Sequence, residues 1–247
     1  MMARRGEYEP RERDRVDGHP GLEARNLPDQ LADQLVLMIA TGELKPGQRV
    51  FEKKICEMKG VSRIPVREAL RLLQAQGIVR TEPNRGTYVT EFTSDEMLEM
   101  LELRLAVERI ALRRILQRKT PKTLITGRLS IAIEAMRRAA ALGDPLALCQ
   151  ADLWFHDCII DLAASPVLEP TWRLLSRGVM VFLMREQAET SAELAAWITE
   201  HEELLAALAS DATTTLDEHI ESHMFSEVRA RRAQIEGTGR GATSQSV

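Results

Sequence analysis

The chain has 247 residues, of which 44% are hydrophobic, 28% charged and 4% aromatic, with a formal net charge of −4. That length accommodates one large domain or two modest ones, and the balance describes a helix-rich globular protein rather than a disordered one. No apolar run approaches a membrane span and no charged-then-apolar leader opens the chain, so no membrane partner is expected. Three scattered cysteines (Cys56, Cys149, Cys158) lack paired-ligand spacing and fit a reducing cytoplasm better than a disulfide framework.

Residues 1–26 mix both charges with Pro and Gly, show no apolar period, and are expected to form a disordered arm. From Leu27 the pattern tightens. In LPDQLADQLVLMIATGEL, Leu31, Leu35, Met38 and Ile39 share a helical stripe that Gly42 ends. KPGQRV reads as a turn, and FEKKICEMKG as a short helix stopped by Gly60. Ser62 stands where it can cap a third helix, with Pro65 in the first turn and Val66, Ala69, Leu70 and Leu73 on the buried side. IVRTEPNRGTYVTEF then reads as a hairpin around a Pro-Asn-Arg-Gly turn. This order over residues 27–92 predicts a winged helix-turn-helix, a unit that places one helix in a DNA major groove.

Arg63, Arg67 and Arg71 are four residues apart on that third helix and share one side of it. Like charges repel at this spacing, and a polyanion would offset the repulsion. Arg bidentate to guanine is the commonest specific contact, and Arg63 and Arg67 lie in the first two turns, where such contacts cluster. Lys53, Lys54 and the turn residues Asn84 and Arg85 suit phosphates, which fix register without reading sequence. Residues 27–90 hold ten basic against seven acidic side chains, and residues 91–247 seventeen against twenty-four. A basic front joined to an acidic back points to two different partners.

Residues 93–236 read as six helices, each with a start signal. Thr93 to Glu96 and Thr190 to Glu193 have capping-box spacing; Thr120, Asp144 and Ser165 each precede a proline; Asp211 opens the last helix. Short loops and no strand pattern predict an antiparallel helical bundle, so the fold class is mainly α. Residues 237–247 read as a flexible tail. Four of the five histidines lie in the bundle. His156 and His201 sit on apolar stripes and are expected to face inward, Asp152 is one turn before His156, and His219 and His223 share a face of the last helix. Each histidine alone reads most simply as a satisfied core residue. Together with a carboxylate they suit a divalent metal, with Zn, Ni, Mn and Fe all open on chemistry alone.

The run from GELKPGQRV through VSRIPVREAL and the NRG wing resembles the DNA-binding domain of the GntR family of bacterial transcription factors. The resemblance implies contacts to DNA from Lys53, Ser62, Arg63, Arg67 and the wing at Arg85 and Gly86. Two departures are Ile64, where the family commonly has Thr, and FEKKIC, where it usually has a Glu-initiated Leu-Ala pattern. ADLWFHDCIIDLAASPVL, EHEELLAAL and HIESHM are similar to the FCD domain, the FadR-type effector-binding bundle. That similarity implies a metal held by Asp152, His156, His201 and His223, with His219 as the alternative fourth ligand. Zn is the leading metal and a small carboxylate the implied effector. Arg104 is the implied acid-binding residue, although an interhelix salt bridge explains it equally well. Six helices resemble the VanR-type branch.

The expected protein is thus a ligand-responsive regulator, a repressor by the commoner sign in the family, whose homodimer reads a palindromic operator. The rival is a metal-dependent enzyme, which lacks a separately placed general base and leaves the winged helix without a purpose. A third reading is a purely structural metal in a DNA-binding protein.

Overall fold

In the computed structural model, residues 26–185 and 191–210 are described. The expected arm up to residue 25, the Thr190 capping box, the helix opened by Asp211, His219, His223 and the tail all lie outside the described residues.

The front unit holds helices α1 (Leu27–Ala40), α2 (Glu52–Lys59) and α3 (Arg63–Ala75) and strands β1 (Arg49–Val50), β2 (Val79–Glu82) and β3 (Gly86–Val89). Asn26 opens α1, its side-chain oxygen accepting from the Asp29 N–H at 3.0 Å. Gly60 closes α2 in the left-handed region. Ser62 occupies the cap position of α3, but its side chain makes no capping hydrogen bond, contrary to the sequence expectation. The buried side of α3 consists of Val66, Ala69, Leu70 and Leu73, as the periodicity predicts. The hairpin β2–β3 gains a third strand that the sequence did not reveal: β1 pairs antiparallel with β3, Arg49 opposite Tyr88, giving the order β1-β3-β2. Two residues are too few to show alternation, and β3's open edge supplies the pairing. At the wing tip Gly86 has φ +115°, a conformation that favours glycine, with the Arg49 guanidinium lying against its open face.

The back unit holds α4 (Ser94–Gln117), α5 (Lys122–Leu142), α6 (Pro145–Ala163), α7 (Leu168–Arg185) and α8 (Ser191–Ala209), a multi-helix bundle. Thr93 and Glu96 form the predicted capping box on α4, and Asp144 caps α6 ahead of Pro145. Thr120 does not cap α5: Pro121 takes the cap position, without a side-chain bond. Ser165 receives the Leu168 N–H, so α7 starts two residues beyond the expected proline. Helix α6 is the central one, packed by α4, α5 and α7. Its buried residues run all round it, from Leu148 and Cys149 to Leu162 and Ala163, which is why its apolar pattern is nearly continuous.

The two units share one core. Leu31, Leu35 and Val36 of α1 join Met97 and Leu101 of α4 and Val179, Phe182 and Leu183 of α7. Arg177 on α7 donates from Nε to Asp33 at 2.8 Å and from Nη2 to the Asp29 carboxylate at 3.1 Å, tying α7 to α1. At Gly178 a Cβ would lie 2.7 Å from Met100 Sδ, so the missing side chain lets α4 and α7 approach. Among the described residues no helix is long and apolar enough to cross a membrane.

Candidate metal centre

Helix α6 places Asp152 and His156 one turn apart on its inner side, and α8 brings His201 to meet them. All three are wholly buried, and their ligand atoms lie within 4.8 Å of one another. Asp152 Oδ1 is 3.0 Å from His201 Nε2 and 3.7 Å from His156 Nε2. Phe155 packs edge-on against both rings, at 5.3 and 4.8 Å between centroids.

The other ring nitrogens define the site's chemistry. His156 Nδ1 lies 2.6 Å from Glu108 Oε2, and His201 Nδ1 lies 2.8 Å from the Trp197 carbonyl oxygen. A carbonyl only accepts, so His201 Nδ1 carries a hydrogen, and an ionised Glu108 requires the same of His156. Both Nε2 atoms are thereby aimed at Asp152. A neutral imidazole presents a lone pair there, facing another acceptor; a proton on the ring or a metal ion between the two reconciles them. Nδ1–H groups held by carboxylate and carbonyl oxygens, with Nε2 turned inward, are the arrangement usual for metal-ligating histidine. The donor set therefore fits a divalent ion.

Charges around the centre reinforce each other. Arg104 donates from Nε to Glu108 Oε1 at 2.9 Å and from Nη2 to Asp152 Oδ2 at 3.3 Å. The interhelix salt bridge weighed for Arg104 in the sequence is thus present, and it reaches the cluster itself. Trp197 Nε1 donates to Asp152 Oδ1 at 3.1 Å. Burial presses Asp152 toward its neutral form, but Arg104 and His156 outweigh it and hold the carboxyl well below its usual range. Glu108 is lowered in the same way: His156 and Arg104 overcome burial. Burial and Arg104 push His156 down, yet Glu108 and Asp152 prevail and raise it to about 9. Cys149 is buried and outside any disulfide; burial pushes the Cys158 thiol up to about 12, which makes it unreactive.

Sequence reasoning missed Glu108 and Trp197. Glu108 had a signal, since it lies four residues after Arg104 on the stripe of Leu101, Leu105, Ala111 and Leu112, where a charged residue faces the core. Trp197 lies four residues before His201 on α8 and passes for an ordinary core aromatic.

The other predicted residues stand apart, on the front unit. Ser62, Arg63 and Arg67 are exposed on α3, Lys53 on α2 and Arg85 at the wing, with Gly86 half-buried. Arg67 Nε donates to Glu52 at 2.9 Å, Lys53 lies 3.7 Å from Glu57, and Arg85 lies 3.5 Å from Glu82.

A family model described as bacterial regulatory proteins, gntR family, matches residues 27–89, and one described as the FCD domain matches residues 99–226. The chain belongs to the GntR family and carries an FCD domain. YdhC of Bacillus subtilis, an uncharacterized HTH-type transcriptional regulator, is 28% identical over 54% of this chain and 59% of its own length. The "Probable D-xylose utilization operon transcriptional repressor" of Paenarthrobacter nicotinovorans is 32% identical over 68% of this chain and 73% of its own. The solved structure of McbR/YncC from E. coli is similar with a TM-score of 0.72 and 25% identity, covering 85% of this chain and 99% of that one. Family and fold match transcription factors rather than catalytic enzymes.

Proposed function

We propose that this GntR/FCD chain is a cytoplasmic transcriptional repressor of the VanR-like FadR branch, which binds a divalent metal and a small carboxylate in its bundle. The observation that carries this reading is the pair of buried imidazoles whose Nδ1 atoms are engaged by acceptors and whose Nε2 atoms converge on Asp152. Asp152, His156 and His201 would hold the ion, with His223 or His219 as the fourth ligand. Zinc is favoured by the imidazole-rich set, and Ni, Mn or Fe suit the same donors. When bound, the ion supplies an open coordination position for a carboxylate oxygen. Arg104, whose Nη2 already sits on a carboxylate in Asp152, is the side chain suited to receive the rest of that acid.

At the DNA, Arg63 and Arg67 read bases from the first two turns of α3, while Lys53, Ser62, Arg85 and the Gly86 wing hold phosphates. Arg67 exchanges Glu52 for DNA; the pair is solvent-exposed, so little is lost. The Ser62 hydroxyl makes no bond to its own helix end. Ile64, 71% exposed beside Arg63, offers an apolar surface to a thymine methyl. A homodimer would pair two such heads on a palindrome. The repressor named among the relatives supports that sign of regulation.

The test is a thermal-shift screen of the full chain against mono-, di- and hydroxy-carboxylates, with and without chelator. Saturation at a hundred times the dissociation constant stabilises by about 2.7 kcal/mol. A shift from one acid that chelator abolishes is the expected result. Metal-loaded protein that answers to no acid would leave only the DNA-binding half of the proposal.

A further inference from the structure

We propose that Glu108 is the positioning residue of the metal centre, the buried carboxylate that fixes the tautomer and the aim of His156. The inference rests on the metal reading above. Glu108 lies on α4, which packs directly against the helix that carries His156, and is wholly buried. Its two oxygens are divided. Oε2 takes His156 Nδ1 at 2.6 Å, and Oε1 takes Arg104 Nε at 2.9 Å.

An ionised carboxylate only accepts, so it dictates Nδ1–H on His156 and leaves the Nε2 lone pair as the ring's single coordinating atom. His201 receives the same instruction from a backbone carbonyl, which no side-chain substitution removes. Of the two imidazoles, His156 is therefore the one whose Nδ1 partner is a side chain. Arg104 Nε engages the second oxygen, so both carboxylate oxygens are held and the orientation of Glu108 toward His156 is fixed. Stability alone does not call for this arrangement. The inward positions of α4 around it are apolar apart from its partner Arg104, and a wholly apolar set in place of such a buried ion pair is commonly as stable.

Cobalt(II) is the probe. The full-length protein, stripped with EDTA, is titrated with Co²⁺ while its visible d–d absorption is followed, for wild type, E108Q and E108D. In E108Q, Nδ1–H of His156 and Nε–H of Arg104 compete for one carbonyl oxygen, and the amide N–H₂ faces groups that need an acceptor. The expected result is a 10- to 100-fold loss of Co²⁺ affinity with a shifted d–d band. E108D, which keeps acceptor-only chemistry, should bind Co²⁺ more tightly than E108Q. EDTA-treated E108Q should remain folded by circular dichroism. Wild-type affinity and spectrum in E108Q would overturn the role of Glu108 while leaving the metal reading intact. A wild-type protein that binds no Co²⁺ would remove the metal reading itself. Should E108Q fail to fold, ring-nitrogen NMR of zinc-loaded wild type decides: an exchange-protected Nδ1–H on His156 is expected, and coordination through Nδ1 would overturn the proposal.

Discussion

His156 sets the electrostatic behaviour of the buried cluster. Its folded value of about 9 lies above its ordinary 6.5. The stability that the charged ring contributes to metal-free protein is therefore whole below pH 6.5 and is lost as pH rises through about 9. That contribution is about 3 kcal/mol at most. A metal reverses the preference, because it needs the neutral ring. EDTA-treated protein should thus melt at progressively lower temperature from pH 6.5 to 9, while zinc affinity climbs by up to about tenfold per pH unit across the same range. Melting curves and competition titrations on one set of buffers check both slopes. H201A should abolish the chelator-sensitive part of the melting temperature yet leave operator binding in place. Loss of operator binding instead would make His201 a structural residue.

Helices α3 and α7 carry separable tasks. On α3, R63A should weaken operator binding by about 1–3 kcal/mol and relax specificity at one base pair. K53A, by contrast, should weaken all sequences alike and lower the salt slope by about one. Gel-shift titrations at several salt concentrations, on operator and scrambled DNA, distinguish the two. Helix α7 joins the units through Arg177, whose side chain is only 11% exposed between Asp29 and Asp33. R177M keeps much of the stem but removes charge-assisted bonds worth about 1–3 kcal/mol in total. It should lower the melting temperature and uncouple the DNA heads from effector, with Co²⁺ affinity unchanged because the cluster is not touched. Unchanged effector response in R177M would assign coupling to the apolar contacts alone.

Across the whole molecule the cluster and the DNA head are joined by packed side chains. Cys149, one turn before Asp152, belongs to the same core as Leu101 of α4, Val179 and Phe182 of α7, and Leu31 and Leu35 of α1. A ligand that shifts α6 against its neighbours therefore has a continuous apolar route to α1. Coupling of about 1–3 kcal/mol would change operator affinity by about 5- to 150-fold on binding metal and acid. Reciprocity then requires operator DNA to weaken or strengthen acid binding by the same factor. Anisotropy on labelled operator and calorimetry with the acid measure the two sides, and a factor of one in both would show that the sites are unconnected. Trp197, bonded to Asp152, should report metal binding through its fluorescence.

The front unit was nearly all legible in the order of residues. Local signals decide it: the α3 stripe of Val66, Ala69, Leu70 and Leu73, the Gly60 stop and the NRG turn each act within a few residues. What escaped was β1, whose two residues become a strand only because β3 lies beside them. In the bundle, Thr93 and Asp144 declared their helices by local hydrogen bonding, whereas Thr120 and Ser165 yielded by a residue or two to the packing of the helices they precede. Asp152 and His156 share a face by helical spacing alone. That His201 arrives 3.0 Å from Asp152, and that Glu108 rather than solvent holds His156, are facts about residues far apart in the chain, on different helices. Helical period is a local property of the chain and can be read along it; convergence of buried charges depends on how α4, α6 and α8 pack, and only the tertiary structure decides that.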